Sequence, residues 1–102
     1  MKDIDQGRGE MTFWIGQDRW NKGIATEAAR LMIDFSFRKM KLHKVFSSAA
    51  VPNIAAQRVL QKCAMQPEGR LREHRLIAGK YCDCIYYGIL REEYLALKDW
   101  PR

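Results

Sequence analysis

The 102-residue chain is predicted to fold as one mixed α/β (α+β) domain in the order strand, helix, strand, helix, hairpin. Three observations carry that reading. The hydrophobic period switches repeatedly between the two-residue spacing of strands and the longer spacing of helices. Glycine and proline fall where those segments meet. No linker or internal repeat divides the sequence, and its length suits one small domain.

Residues 11–16, MTFWIG, form a short β-rich run closed by Gly16. After the polar turn QDRWNK, the segment GIATEAARLMIDFSFRKMK predicts one long helix beginning near Gly23. Ile24, Ala28, Leu31, Met32, Phe35 and Met40 recur at helical spacing as its apolar stripe, with Glu27, Arg30, Asp34 and Lys41 off that stripe. Glu27 near the start and Arg38, Lys39 and Lys41 near the end complement the helix dipole. KVFSSAAV, residues 44–51, reads as a strand stopped by Pro52. Asn53 is placed to cap a second helix, IAAQRVLQKCAM, whose Ile54, Val59, Leu60 and Cys63 can lie against a sheet. Pro67 and Gly69 end that segment. RLREHRLIAGKYCDCIYYGIL then reads as two strands around Ala78-Gly79-Lys80, and REEYLALKDWPR as a last helical turn.

The formal charge of +6 favours anionic partners: nucleic acid, acidic protein or a phosphate-bearing cofactor. MKDIDQGRGE lacks the apolar core of a signal peptide, and no run approaches the roughly 18 apolar residues of a membrane span. Three cysteines without an export signal predict reduced thiols and a cytoplasmic protein. Cys82-Asp83-Cys84 with His74 or Cys63 lacks the paired spacing of a zinc site, so no metal is expected. A chain this short buries only roughly 60 to 65% of its unfolded surface, which makes dimerisation an expectation from the start.

The stretch WNKGIATEA concentrates small residues where a helix begins. A strand ending at Gly16, a turn and a helix start near Gly23 bring backbone N–H groups together at the positive end of a helix dipole, which suits an anion. Gly23 tolerates positive φ, and Ala25 leaves room over the first turn. A glycine needed only for the turn would read the same way.

The wording of the segment goes further. WNKGIATEAARLMIDFSF resembles the acetyl-CoA-binding loop and helix of the GNAT N-acetyltransferase superfamily, in the branch that holds ribosomal-protein alanine and serine N-acetyltransferases. VPNIAAQRVLQKCAM resembles the family segment in which an Asn caps a helix beside the cofactor's pantetheine arm. GRLREHRLIAGKYCDCIYYGILREEY is similar to that branch's closing hairpin. The resemblance implies that backbone amides of Trp20, Asn21, Lys22, Gly23, Ile24 and Ala25 hold the pyrophosphate of acetyl-CoA, with Thr26 adding a hydroxyl. Asn53 would hydrogen-bond the cofactor arm. Strands 11–16 and 44–50 would splay and admit the pantetheine like an added strand. N–H groups of Phe13, Trp14 and Ile15 would polarise the thioester carbonyl while an amine attacks it directly. Glu10 is the candidate general base, since a buried carboxylate there would have its pKa raised toward neutrality. The alternative for Glu10 is an exposed charge at a strand end.

Ala56 stands where relatives often carry Ser, and Leu60 where some carry a proton-donating Tyr, so neither hydroxyl is available here. Tyr81, Tyr86 and Tyr87 could substitute, although strand tyrosines ordinarily pack. Family domains place a strand, two helices and two further strands before the equivalent of MTFWIG, and only MKDIDQGRGE precedes it here. Residues 1–102 therefore read as a single truncated GNAT-like domain that keeps the cofactor half, to be completed by another chain or paired with a copy. The leading functional expectation is acetyl-CoA-dependent acetyl transfer to a primary amine, either a protein N-terminus or a small molecule. The alternative is a non-catalytic module that binds coenzyme A, assembles, or contacts nucleic acid or the ribosome. RKMKLHK and RLREHR would suit phosphate contacts, but no aromatic residues interleave them, which disfavours nucleic acid.

Overall fold

Among the described residues, four strands form one mixed sheet in the order β1-β2-β4-β3. The computed structural model describes residues 7–11 and 22–97. Its elements are β1 (Arg8–Glu10), α1 (Lys22–Arg38), β2 (Lys44–Ala50), α2 (Ile54–Lys62), β3 (Gln66–Ile77), β4 (Lys80–Leu90) and α3 (Arg91–Leu95). β1 and β2 are parallel, so the chain must cross over between them, and α1 makes that crossover. The other pairings are antiparallel. The first strand begins earlier than the apolar run predicts, at Arg8, while residues 12–16 of that run lie outside the described residues.

Both α1 and α2 cover one face of the sheet. Val45 opposite Ile89 and Ser47 opposite Tyr87 point to that face, joined by Met11. They meet Ala25, Ala29, Ile33 and Phe37 of α1 and Val59, Leu60 and Cys63 of α2. Tyr94 of α3 closes one end: its ring stacks on Phe37 at 4.9 Å and its hydroxyl donates to Asp34. Arg91 Nη1 donates to the carbonyls of Phe37 (2.7 Å) and Leu42 (3.3 Å), holding α3 to the C-terminal end of α1.

The buried face of α1 is not the predicted apolar stripe. Ala25, Thr26, Ala29, Ile33, Ser36 and Phe37 point inward, whereas Ala28 is exposed, Leu31 is 67% exposed and Phe35 55%. Met32 and Met40 only flank the core. Two faces of this helix carry helical periodicity, and the one with smaller residues lets α1 lie close to the sheet and α2. Ser36 is accommodated inside because its hydroxyl donates to the Met32 carbonyl at 2.7 Å.

Asn53 caps α2 as predicted, its Oδ1 accepting from Ala56 N at 3.1 Å. Val59, Leu60 and Cys63 face the core, but Ile54, at the first turn, is 55% exposed. β3 starts at Gln66 and runs through Pro67 and Gly69, which were expected to precede it; as an edge strand it tolerates a residue without an N–H. The hairpin closes on Ala78 and Gly79, with φ of 51° and 77°, as a two-residue I′ loop requires. A bulge between Leu71 and Arg75 is pinned by Asp83, which accepts from Glu73 N and Arg70 Nε, both at 2.8 Å. These two contacts, with the Glu73 amide foremost, hold the Asp83 carboxyl below its ordinary pKa.

Candidate functional site

The site is built around β2 beyond Phe46; among the described residues β1 follows it as far as Met11. Arg8, Gly9 and Glu10 lie beside Lys44, Val45 and Phe46. Met11 N then donates to Phe46 O at 2.7 Å, and the buried Ser47 hydroxyl donates to Met11 O at 2.7 Å. Along a parallel strand, alternate residues direct both backbone groups to the same neighbour. Lys44 N (to Gly7 O, 3.2 Å) and Phe46 O address β1, so Ser48 and Ala50 are directed to that side as well. Among the described residues β1 reaches no further than Met11. The Ser48 N–H and C=O and the Ala50 N–H therefore form a short ladder edge. Ala50 O is engaged, accepting from Asn53 N at 2.9 Å.

Asn53 stands at the far end of this edge, half-buried. Its Oδ1 is committed to the α2 cap, which leaves the Nδ2 group as its donor toward a ligand. Gln57 Nε2 donates to Val51 O at 2.8 Å and fixes the first turn of α2 against the end of β2.

The N-terminus of α1 begins at Lys22 and supplies N–H groups that have no partner within the helix. Lys22, Gly23, Ile24 and Ala25 open α1, and Ala25 is fully buried, so it could offer a ligand only its backbone. Thr26 is 5% exposed, and its Oγ1 has no hydrogen-bond partner among the described residues. A buried, unpaired hydroxyl beside the positive end of a helix fits a phosphate-bearing group. Arg30 lies one turn further along, its Nη2 donating to Lys62 O at 3.2 Å. Between the two helices, burial pushes the Cys63 thiol up to about 11 against the opposing pull of Arg30, so Cys63 is a neutral thiol and not a nucleophile at pH 7.

Glu10 ends β1, half-buried, and lies on the sheet face opposite the helices, because its neighbours Gly9 and Met11 are buried on the helix side. Phe46, across from Glu10, shares that face with Tyr86; their ring centroids are 6.4 Å apart. His74 Nε2 lies 3.5 Å from the Tyr86 hydroxyl. Tyr87 points the other way, into the core, its hydroxyl accepting from Gln61 Nε2 at 3.4 Å. Tyr81 is at the hairpin end and exposed. Of the three tyrosines, Tyr86 alone joins Glu10 and Phe46 on the open face of the sheet. Leu60 is in the core. Phe13, Trp14, Ile15, Trp20 and Asn21 lie outside the described residues. Ser48 and Ala50 carry no sequence signal of their own, since what they offer is backbone.

Comparison with known proteins identifies the family. Residues 1–66 match the acetyltransferase (GNAT) domain family. An uncharacterized N-acetyltransferase, p20, of Bacillus licheniformis is 30% identical over 94 residues, covering 92% of this chain and 53% of the relative. The spermidine N(1)-acetyltransferase of Escherichia coli K12 is 32% identical over 94 residues, with coverage of 92% and 50%. A mutant form of the spermidine N-acetyltransferase SpeG from Vibrio cholerae superposes with a TM-score of 0.82 at 30% identity, covering 92% of this chain and 56% of that one. The chain thus spans about half the length of these relatives. Fold and sequence converge, and the chain belongs to the GNAT acetyltransferase family.

Proposed function

We propose that this chain is the acetyl-CoA-binding part of an N-acetyltransferase that moves an acetyl group to a primary amine by direct attack. The observation that carries the reading is the buried Thr26 hydroxyl, without a partner among the described residues, in the first turns of α1; the Ser48–Ala50 backbone on the β1 side of β2 and the Asn53 side chain supply further donors. When bound, acetyl-CoA supplies the activated acetyl group as a thioester. The amides of residues 20–25 hold its pyrophosphate, with Thr26 donating to a phosphate oxygen. Ser48 and Ala50 hold the pantetheine amides as an added strand would, and Asn53 Nδ2 donates to a carbonyl of the same arm. N–H groups at residues 13–15 orient and polarise the thioester carbonyl. Glu10 accepts the proton of the attacking amine from the open face of the sheet; as the C–N bond forms the C–S bond breaks, and coenzyme A leaves as its thiolate, which takes a proton from solvent.

The acceptor class is a primary amine, with the polyamine named for the Escherichia coli relative and a protein N-terminus as its two forms. A second reading, a coenzyme A-binding or assembly module in the cytoplasm, is favoured by the open sheet face bearing Phe46 and Tyr86, which a second copy or a completing chain would cover. Isothermal titration with acetyl-CoA tests the first reading. Micromolar binding that Gly23→Leu abolishes, followed by turnover with spermidine or an N-terminal peptide, is expected. A folded protein that does not bind acetyl-CoA overturns it.

A further inference from the structure

The core takes the inner face of α1 and the proposed phosphate contacts its first turns, which leaves its outer face unaccounted for. Leu31 and Phe35 stand exposed one turn apart on that face, with the small Ala28 beside them. The stripe has a charge at each end. Glu27 precedes it; Arg38 and Lys39 follow it, with Lys39 N donating to Phe35 O at 2.9 Å so that helical geometry continues through residue 39. At about 100° of rotation per residue, Glu27, Leu31, Phe35 and Arg38 all fall within one strip about 80° wide. Glu27 and Lys39 make no ion pair among the described residues, and Arg38 makes only an exposed one, to Asp34 at 3.3 Å.

We propose that this face is a self-docking surface, on which two copies pair their α1 helices antiparallel about a two-fold axis. The charge pattern selects that partner and that direction. A two-fold axis level with Ile33 sets Leu31 of one copy beside Phe35 of the other. The same operation brings Glu27 of each copy to the level of Lys39 of the other, within about 1.5 Å of rise of Arg38. Arg38 also lies on the same flank of the stripe as Glu27, so the acid meets a base twice in one isologous contact. Parallel pairing would oppose acid to acid and base to base. A partner of uniform charge would be repelled at one end. Two apolar side chains per copy fall well short of the about 800 Å² per partner of a standard interface, so the dimer is weak, with a dissociation constant in the range of about 100 µM. The inference stands apart from acetyl transfer, and it places a dimer on the helix layer and not on the open sheet face.

Sedimentation of the full chain over a concentration series tests it. The wild-type mass should rise with concentration from the 12.0 kDa monomer toward twice that value. Leu31→Glu with Phe35→Glu should stay monomeric and keep the wild-type circular dichroism, since both side chains are exposed; Leu31→Gln with Phe35→Gln gives the same reading without added charge. Glu27→Lys alone, and Arg38→Glu with Lys39→Glu alone, should each weaken association at least about tenfold, while an equimolar mixture of these two proteins should associate again, because every facing charge is then opposite. A wild-type chain that stays monomeric near 1 mM, about ten times the expected constant, overturns the proposal. So does a dimer untouched by the Leu31 and Phe35 changes, or a mixture that associates no better than its components.

Discussion

Replacing Thr26 by Val swaps one hydroxyl for a methyl of nearly the same shape, and its consequences follow from two features of that hydroxyl. It is buried, and it lacks a partner among the described residues. A buried unpaired hydroxyl costs about 1–3 kcal/mol, whereas a buried methyl costs nothing of the kind. Thr and Val have similar helix propensities, so the backbone contributes little. Thr26→Val should therefore raise the stability of the ligand-free protein by about 1 kcal/mol, a rise of about 4–8 °C in melting temperature for a domain of this size. The same change removes one hydrogen bond to a phosphate oxygen, so acetyl-CoA affinity should fall about fivefold to tenfold. Thr26→Ser keeps the hydroxyl and should keep most of the affinity. Thermal melts with and without acetyl-CoA, together with titration calorimetry, read both effects. A Thr26→Val protein that is less stable than wild type, with unchanged affinity, would refute the reasoning, since the hydroxyl would then have an internal partner.

Glu10→Gln should slow acetyl transfer at least about tenfold and leave acetyl-CoA affinity unchanged, as measured by steady-state rates beside calorimetry. Cys63 should resist thiol reagents at pH 8 in the folded protein while the half-exposed Cys82 reacts. Because the folded Cys63 thiol titrates near 11 and its ordinary value is 9.0, the folded state holds a proton that the unfolded chain releases. Stability should thus fall by roughly 2 kcal/mol as pH rises from about 9 to 11. Cys63→Val should flatten that part of the profile in denaturant titrations. Ala78→Asn should stabilise the hairpin by about 0.5–1 kcal/mol, since Asn tolerates the left-handed φ that Ala78 holds at a cost. Unchanged denaturation midpoints would contradict that reading of the turn.

Local chemistry was legible in the sequence wherever one residue decides a structure. Asn53 before an apolar-periodic run marked the start of α2, and Ala78-Gly79 marked the hairpin, because capping and positive φ are properties of those residues. The buried side of α1 was not legible. Ala25, Ala29, Ile33 and Phe37 form one apolar stripe and Ala28, Leu31, Met32 and Phe35 another, and only the packing of α1 on α2 and the sheet selects between them. β1 escaped detection because Arg8-Gly9-Glu10 has no apolar alternation and is a strand only through its pairing with β2. The same holds for the site. Glycine, Thr26 and Asn53 announce themselves by type, while Ser48 and Ala50 would act only through backbone groups whose direction is fixed by β-pairing.

Among the described residues, the β1 side of β2 past Phe46 carries the Ser48 and Ala50 amides, and the central claim is that acetyl-CoA would engage them as an added strand. Amide NMR during titration with acetyl-CoA measures it directly. The account predicts large shifts at the Ser48 and Ala50 amides, at the first turn of α1 and at the Asn53 side chain, with none at the hairpin tip around Gly79. Saturable binding that leaves Ser48 and Ala50 unmoved would contradict it.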